Sequence, residues 1–334
     1  MLYMFFPTRY TAFIAFAGIV FAFAVTIVAM QLLNRYLPKD AGRQFAHDGK
    51  LSIGKPRGAG ILFVPVFCLC AMLFAPIDVE MAIYLILLLI IMMTGFLDDA
   101  SSTPWGELKK GFLDLCVAGM VAYTYLRFHP PTLTLTIWDT QVTLPPLVFA
   151  LGIMVLVWIS VNVTNCADGV DGLSGTLTLI SIMSVYMILR SMEGEALLAA
   201  DFLEQPHLYS YSILLFAVCI LGYLWYNATP SRLMMGDAGS RSMGLFISIV
   251  ILRTNDPFLY LLIAFVLLMD GGLGLGKVFL IRCFRIRILK SVRTPLHDHV
   301  RKVWNWSNTQ TVFRFAIIQI LISMAGIALM NRTG

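Results

Sequence analysis

The stretch PLVFALGIMVLVWISVNVTNCADGVDGLSGTLTLISIMSVYMILR, residues 146–190, decides the fold class. Two apolar runs, 146–164 and 173–190, flank a short polar segment. Each run approaches the ~20 apolar residues needed to cross a bilayer core. The segment between them holds Asn165, Asp168 and Asp171 with Gly169, Gly172 and Gly175. Polar groups at the edge of hydrocarbon are costly and are usually functional. Helix capping would account for one such aspartate, but not for three polar groups and three glycines together. If the segment were helical, a spacing of three would keep Asn165, Asp168 and Asp171 near one face. The glycines would let the backbone come close to a ligand.

The same pattern extends outward in both directions. Further apolar runs cover 11–33, 59–75, 80–97, 111–127, 211–226, 240–253, 257–282 and 312–330, which makes ten with the first two. The chain of 334 residues is 59% apolar and only 13% charged, with a mean hydropathy of +0.82. A soluble domain carries roughly a quarter charged residues. The expectation is an all-α integral membrane protein of about ten transmembrane helices, forming a single polytopic domain over 1–334. The first run is too long for a signal-peptide core and is expected to remain as a span. Gly271, Gly272, Gly274 and Gly276 interrupt the ninth run, so a break or bend is expected there, which a membrane tolerates only where protein or water satisfies the freed backbone. A formal charge of +5 is too small to argue for nucleic acid. The cysteines (Cys68, Cys70, Cys116, Cys166, Cys219 and Cys283) form no CxxC pair and read as small buried hydrophobes.

Lysine and arginine give the orientation. Lys39, Lys50, Lys55 and Arg57 sit in the first loop, Lys109 and Lys110 in the third, Arg232 and Arg241 in the seventh, and a dense basic group from Lys277 to Arg314 in the ninth. Cytoplasmic loops carry such an excess. The odd loops are therefore expected to face the cytoplasm, with both termini outside. One outer loop alternates strictly, Thr132-Leu-Thr-Leu-Thr-Ile-Trp138, then continues after Asp139-Thr140 with Gln-Val-Thr-Leu144, the signature of a small β-hairpin. The run KVFLIRCFRIRILK, residues 277–290, reads as a helix end leaning on the membrane surface.

Four polar clusters fall on the cytoplasmic loops. Asp98 and Asp99 end the third run as an adjacent pair, which repel each other unless a metal, a cation or a proton sits between them. The second cluster is the opening segment around Asp168 and Asp171. The third runs from Asn227 through Met234 to Gly236-Asp237-Ala-Gly-Ser240. The fourth is His297-Asp298-His299, set among Arg293 and Arg301. A zinc site there is disfavoured, because no third strong ligand lies nearby. Acids gathered with Lys and Arg at one membrane face suit a phosphate substrate with Mg2+, which prefers one or two carboxylates plus phosphate oxygens. Lys and Arg would steady the remaining charge.

These clusters, in this order, resemble the polyprenyl-phosphate hexosamine-1-phosphate transferase superfamily over most of the chain. The tail Trp306-Ser-Asn-Thr-Gln-Thr-Val-Phe-Arg314-Phe-Ala-Ile-Ile318 is similar to that of the branch acting in peptidoglycan synthesis. The resemblance implies an enzyme that moves phospho-N-acetylmuramoyl-pentapeptide from UDP-N-acetylmuramoyl-pentapeptide to undecaprenyl phosphate, yielding lipid I and UMP in the bacterial cytoplasmic membrane. It implies Asp237 as the Mg2+ ligand, and Asp98 and Asp99 as the family's aspartate pair, one of them acting on the lipid phosphate. Asp168, Asp171, Asn165 and Asn227 would serve the nucleoside end. His297 and His299 match the outer members of a triple-histidine motif near the phosphates. Gly54-Lys-Pro-Arg-Gly-Ala-Gly60 looks like the family's first-loop motif, with Lys50 standing for its preceding lysine. A homodimer is compatible with the resemblance, and the sequence itself is silent on oligomeric state.

The chain departs from the pattern in places. Asp298 replaces the middle histidine, and Met234 stands where the family has a phenylalanine on the uracil; its thioether can still cover an aromatic ring. Ser102 takes the place of a lysine after the aspartate pair, and Lys109 or Lys110 supplies the later lysine of that loop. These changes leave the reaction class intact but open the sugar nucleotide to question, so the same chemistry on UDP-N-acetylglucosamine is the nearest rival. An ion-coupled transporter is a remote rival. It would place its acids near the bilayer midplane, often in repeated halves, whereas here they lie at span ends without a repeat.

Overall fold

The computed structural model describes residues 11–40, 42, 52–101, 103, 105–194, 207–286, 288–289 and 291–330. It is a helical bundle with one small sheet. In chain order the helices are α1 (Thr11–Leu33), α2 (Gly60–Phe74), α3 (Val79–Asp99), α4 (Glu107–Phe128), α5 (Pro146–Cys166), α6 (Leu173–Gly194), α7 (His207–Asn227) and α8 (Gly236–Leu252). They continue with α9 (Pro257–Ile263), α10 (Phe265–Phe284), α11 (Leu296–Val303) and α12 (Asn308–Met330). Local signals set several starts. The Asp78 carboxylate accepts from Met81 N–H at 2.7 Å and caps α3, as an aspartate N-cap should. Pro146 opens α5 at its first position, where its missing N–H removes no helical bond.

Each of the ten expected runs falls on a helix, but among the described residues six helices are long and apolar enough to cross a membrane, or seven if the bent pair α9–α10 is one span. The other three fall short for physical reasons. The α2 helix has only 15 residues. The α4 helix begins with Glu107, Lys109, Lys110 and Asp114, which shortens its apolar length. The α8 helix has 17 residues and carries Asp237 and Arg241. The bend in the ninth run is present, 78° between α9 and α10. It falls at Ala264 rather than at the glycines. Gly271 and Gly272 instead lie in a π-turn, Leu268–Gly272, a local widening that often marks functional sites.

The core is organised around α8, which is buried along its whole length. It packs on α3 and α5, with α2 and α6 completing its enclosure. Glycines permit the closest approaches. A Cβ on Gly95 of α3 would stand 2.6 Å from the Asp237 carbonyl, and one on Gly244 of α8 would stand 2.5 Å from the Ser160 carbonyl of α5. Phe67 of α2, Phe216 of α7 and Phe246 of α8 pack their rings together at centroid distances of 4.3–5.3 Å.

The expected hairpin is formed by β1 (Thr132–Leu135) and β2 (Thr140–Thr143), antiparallel, with Thr132 opposite Thr143. A 3-10 turn and Asp139 at φ 46° close it. It is tied to the α8–α9 turn by Thr136 N–H donating to Asp256 at 2.8 Å and Thr134 N–H donating to the Asn255 carbonyl at 2.8 Å. An apolar cavity of about 590 Å3 lies beneath it, lined by Leu133, Leu135, Trp138, Phe258 and neighbours. The acidic clusters lie at the other end of the bundle. At the basic stretch, α10 ends at Phe284 and Arg285 turns the chain at φ 57°. Phe279 and Phe284 are exposed. Arg287 and Lys290 lie outside the described residues.

Because Gly95 meets backbone rather than a movable side chain, Gly95→Val should force α3 and α8 apart. Overpacking of this kind costs about 1–3 kcal/mol, and the expected result is a lowered thermal midpoint of the purified protein together with lost turnover.

Candidate active site

Four chain segments meet at one end of the bundle. The C-terminus of α3 supplies Asp98 and Asp99, the first turn of α4 supplies Lys110, and the first turn of α8 supplies Asp237. The loop before α2 adds Arg57. Arg57 Nη2 lies 3.0 Å from Asp99 Oδ1 and 3.5 Å from Asp237 Oδ1, and Nη1 lies 3.5 Å from Asp40 Oδ1. Lys110 Nζ contacts Asp98 Oδ2 closely and Asp237 Oδ2 at 3.1 Å. The adjacent pair Asp98–Asp99 is thus split between two cations. Asp98 also accepts from Trp105 N–H at 2.7 Å, and Asp99 Oδ2 accepts from Ala238 N–H at 3.2 Å. Burial works against the charge of Arg57, but Asp99, Asp237, Asp40 and Asp168 outweigh it and hold the guanidinium pKa above its usual value.

Four carboxylates here, Asp40, Asp98, Asp99 and Asp237, share two cations, which leaves net negative charge. Asp99 Oδ1 is buried and touches Arg57 without hydrogen-bond geometry, so it has no hydrogen-bond partner. A buried carboxylate oxygen left in this state is expensive. An all-oxygen donor set with spare negative charge fits a hard divalent cation completed by phosphate oxygens. Among the described residues no group of three or more His, Cys, Asp and Glu is arranged to hold a metal by itself.

The second cluster is a turn rather than a helical face. The α5 helix ends at Cys166, and the chain from Asp168 to Gly172 is non-helical, with Gly172 at φ 84°. The expected alignment of Asn165, Asp168 and Asp171 is therefore replaced by divergence. Asn165 Nδ2 donates to Ser240 Oγ of α8 at 2.9 Å. Asp168 accepts from Ser174 Oγ at 2.9 Å. Asp171 accepts from Ser231 N–H at 3.1 Å, with Lys55 Nζ at 3.9 Å. Asn227 is buried and uses both ends of its amide within the protein, accepting from Gly172 N–H at 2.8 Å and donating to the Leu233 carbonyl at 2.8 Å. It joins the second and third clusters instead of pointing outward. Met234 is half-buried, and its backbone clasps the first loop through Pro56 and Ala59.

Of the two candidate lysines only Lys110 reaches the acids. Lys109 lies over the Trp105 ring, 3.4 Å from its centroid, because a rotation of about 100° per residue points neighbouring side chains apart. Lys50 lies outside the described residues. His297 and His299 also part company. His297 is buried, with its N–H donating to Asp270 Oδ1 at 2.7 Å and its Nδ1 paired with Asp270 Oδ2 at 2.8 Å. Its Nε2 edge faces Gly169, where an added Cβ would stand 2.2 Å away. His299 instead accepts from Arg293 N–H at 3.2 Å and packs edge-on against Trp304. Asp298 turns back to Arg301 and Lys302 at 2.8 and 3.3 Å. Burial alone would raise its pKa, but His297, Lys302 and Arg301 hold it below the usual carboxylate range.

Sequence reading passed over three members of this constellation. Arg57 was visible only as part of the first-loop motif. Asp40 carried no motif at all. Asp270 lay among the glycines of the ninth run, where an acid inside an apolar stretch was itself the signal.

The glycosyl transferase family 4 model matches residues 81–255. A phospho-N-acetylmuramoyl-pentapeptide-transferase from Treponema pallidum subsp. pallidum is 40% identical over 316 residues, covering 92% of this chain and 86% of its own length. Proteins of the same name from Desulfotalea psychrophila and Brachyspira hyodysenteriae are 28% and 29% identical, over 96% and 82% of this chain and 93% and 81% of their own lengths. The chain belongs to glycosyl transferase family 4, as a multi-pass membrane transferase. Its similarity to the phospho-N-acetylmuramoyl-pentapeptide-transferases runs well beyond the family match, through the first loop that carries Arg57 or the C-terminal part that carries His297.

Gly169→Ala should push the His297 ring off the turn, and Asp270→Asn should release its Nδ1. A displacement of about 1 Å near reacting groups can lower turnover on the order of a hundredfold. That loss, with the thermal midpoint little changed in Gly169→Ala, is the expected result of steady-state assays on purified protein.

Proposed function

We propose that this protein transfers phospho-N-acetylmuramoyl-pentapeptide from its UDP carrier to undecaprenyl phosphate, giving lipid I and UMP in peptidoglycan synthesis. The 40% identity to the Treponema pallidum transferase over 92% of the chain supports the substrate pair. The observation that carries the reading is the meeting of Asp98, Asp99 and Asp237 with Arg57 and Lys110 at one end of the bundle. Such an end can receive a water-borne diphosphate and a lipid phosphate arriving from the bilayer.

In this reading an oxygen of the lipid phosphate attacks the sugar-proximal phosphorus of the nucleotide, the bond to UMP breaks, and the new diphosphate stays on the lipid. Phosphoryl transfer asks mainly for alignment and charge stabilisation. Arg57 and Lys110 provide fixed positive charge. Asp98, held by Lys110 and the Trp105 N–H, removes the proton of the lipid phosphate. Asp237 and Asp99 are the carboxylates that would hold Mg2+, which when bound neutralises the diphosphate. The 168–172 turn, flanked by Lys55 and Asn227, serves the nucleoside end. His297, fixed by Asp270, faces that turn beside the phosphates.

The acidic end is proposed to face the cytoplasm of a bacterium, with all ten helical runs crossing or dipping into the inner membrane and both termini outside. The clustering of Lys and Arg in loops at that end supports this orientation.

Purified protein mixed with undecaprenyl phosphate and UDP-N-acetylmuramoyl-pentapeptide should release UMP only when Mg2+ is present. UDP-N-acetylglucosamine offered instead should give little or none, and the reverse preference would reassign the substrate. Asp237→Asn should abolish nearly all turnover while the protein still inserts and melts normally. Substantial Mg2+-dependent activity in that variant would remove Asp237 from the metal role.

A further inference from the structure

One helical turn deeper than the proposed site lies a second ion pair that the reaction does not use. Asp114 of α4 and Arg241 of α8 are 3% and 2% exposed, and Arg241 Nη2 contacts Asp114 Oδ1 closely. Asp114 stands four residues after Lys110, and Arg241 four residues after Asp237, so each shares a helix face with its predecessor. The two helices are bridged twice, with the signs inverted: Lys110 to Asp237, then Asp114 to Arg241.

We infer that the Asp114–Arg241 pair is a positioning device, fixing α4 against α8 so that Lys110 rests on Asp237. The backbones of α4 and α8 make almost no close approach of their own; both helices pack on α3 and α5. The position of Lys110 relative to Asp237 therefore depends on side chains that span the gap. Stability does not explain the pair. Replacing a buried ion pair by apolar residues of similar volume is often neutral or stabilising. Arg241 is moreover imperfectly satisfied, since its buried Nη1 has no hydrogen-bond partner. Both residues are closed to substrate, so neither is a ligand group. Fixing register is the best-attested use of such a pair. The sign order reinforces it, with a positive charge beneath Asp237 and a negative one beneath Lys110.

The inference rests on the proposed site, and its test separates the two. Wild-type release of UMP from each UDP-sugar judges the proposed function first, and whichever nucleotide the wild type turns over then serves for the variants. In full-length purified protein, Asp114→Leu with Arg241→Leu should keep or raise the thermal midpoint. It should leave the KM for both substrates and the calorimetric affinity for UDP within about twofold, while kcat falls about tenfold or more. The charge swap, Asp114→Arg with Arg241→Asp, retains a salt bridge but inverts the charges under the site, and its kcat should also fall. Arg241→Lys, which keeps the charge, should retain more turnover than either double variant. If the leucine pair does not fold, Asp114→Asn with Arg241→Gln takes its place under the same criteria. Wild-type kcat in any folded double variant overturns the inference. So does a parallel loss of thermal midpoint, UDP affinity and kcat, which would mark the pair as general packing.

Discussion

The carboxylate of Asp237 sits at the head of a helix with no exposed face, and the rest of the site follows from that placement. An ionised group in such surroundings must be paired, since the desolvation of a lone buried charge amounts to several kcal/mol. The pairing here is distributed: Arg57 comes from the first loop and Lys110 from α4, and each also holds a member of the Asp98–Asp99 pair. No one segment could supply these groups, because a helix end offers only one or two side chains in the needed direction. Convergence of segments more than a hundred residues apart is thus a requirement of burying Asp237. The close glycine contacts of α8 with α3 and α5 make that convergence sterically attainable.

Much of this was legible in the sequence, and the reasons for the exceptions are physical. Apolar runs and their polar interruptions marked the long helices, since the bilayer imposes length and composition together, but not the short polar α11. Composition could not say whether α2, α4 and α8 satisfy the demands of a full span, because a short or charged helix can be sheltered by its neighbours. The acidic motifs marked Asp98, Asp99 and Asp237 correctly as neighbours in space. The choice between Lys109 and Lys110 was not legible, because it depends on which face of α4 meets α8. The 168–172 turn defeated the helical-face reading of Asp168 and Asp171, since α5 ends at Cys166 and the chain stays non-helical through Gly172, at φ 84°, until α6 begins at Leu173. His297 and His299, two residues apart, were separated by a helix that sends one inward to Asp270 and the other toward Trp304.

Asp270 shows how the fourth cluster reaches the second. A widened π-turn brings its carboxylate to both the backbone and the ring of His297, and Arg301 then reaches the Gly169 carbonyl at 3.3 Å. A histidine whose Nδ1 is committed to a carboxylate presents its other nitrogen in a defined direction, and that direction is toward the turn.

The arrangement of charges also bears on how substrate would enter. Arg57 and Lys110 now bridge carboxylates to one another, so the same cations that would stabilise a diphosphate are engaged by the acids. A diphosphate arriving alone would compete with Asp98, Asp99 and Asp237 for those two side chains and meet their negative charge. If a diphosphate arrived with a divalent cation, the balance would differ: Asp99 and Asp237 would be the carboxylates to hold the cation, which would leave Arg57 and Lys110 to phosphate oxygens. Electrostatics of this kind would favour nucleotide and cation entering together, with Arg57, Lys110 and the carboxylates already in place to exchange partners.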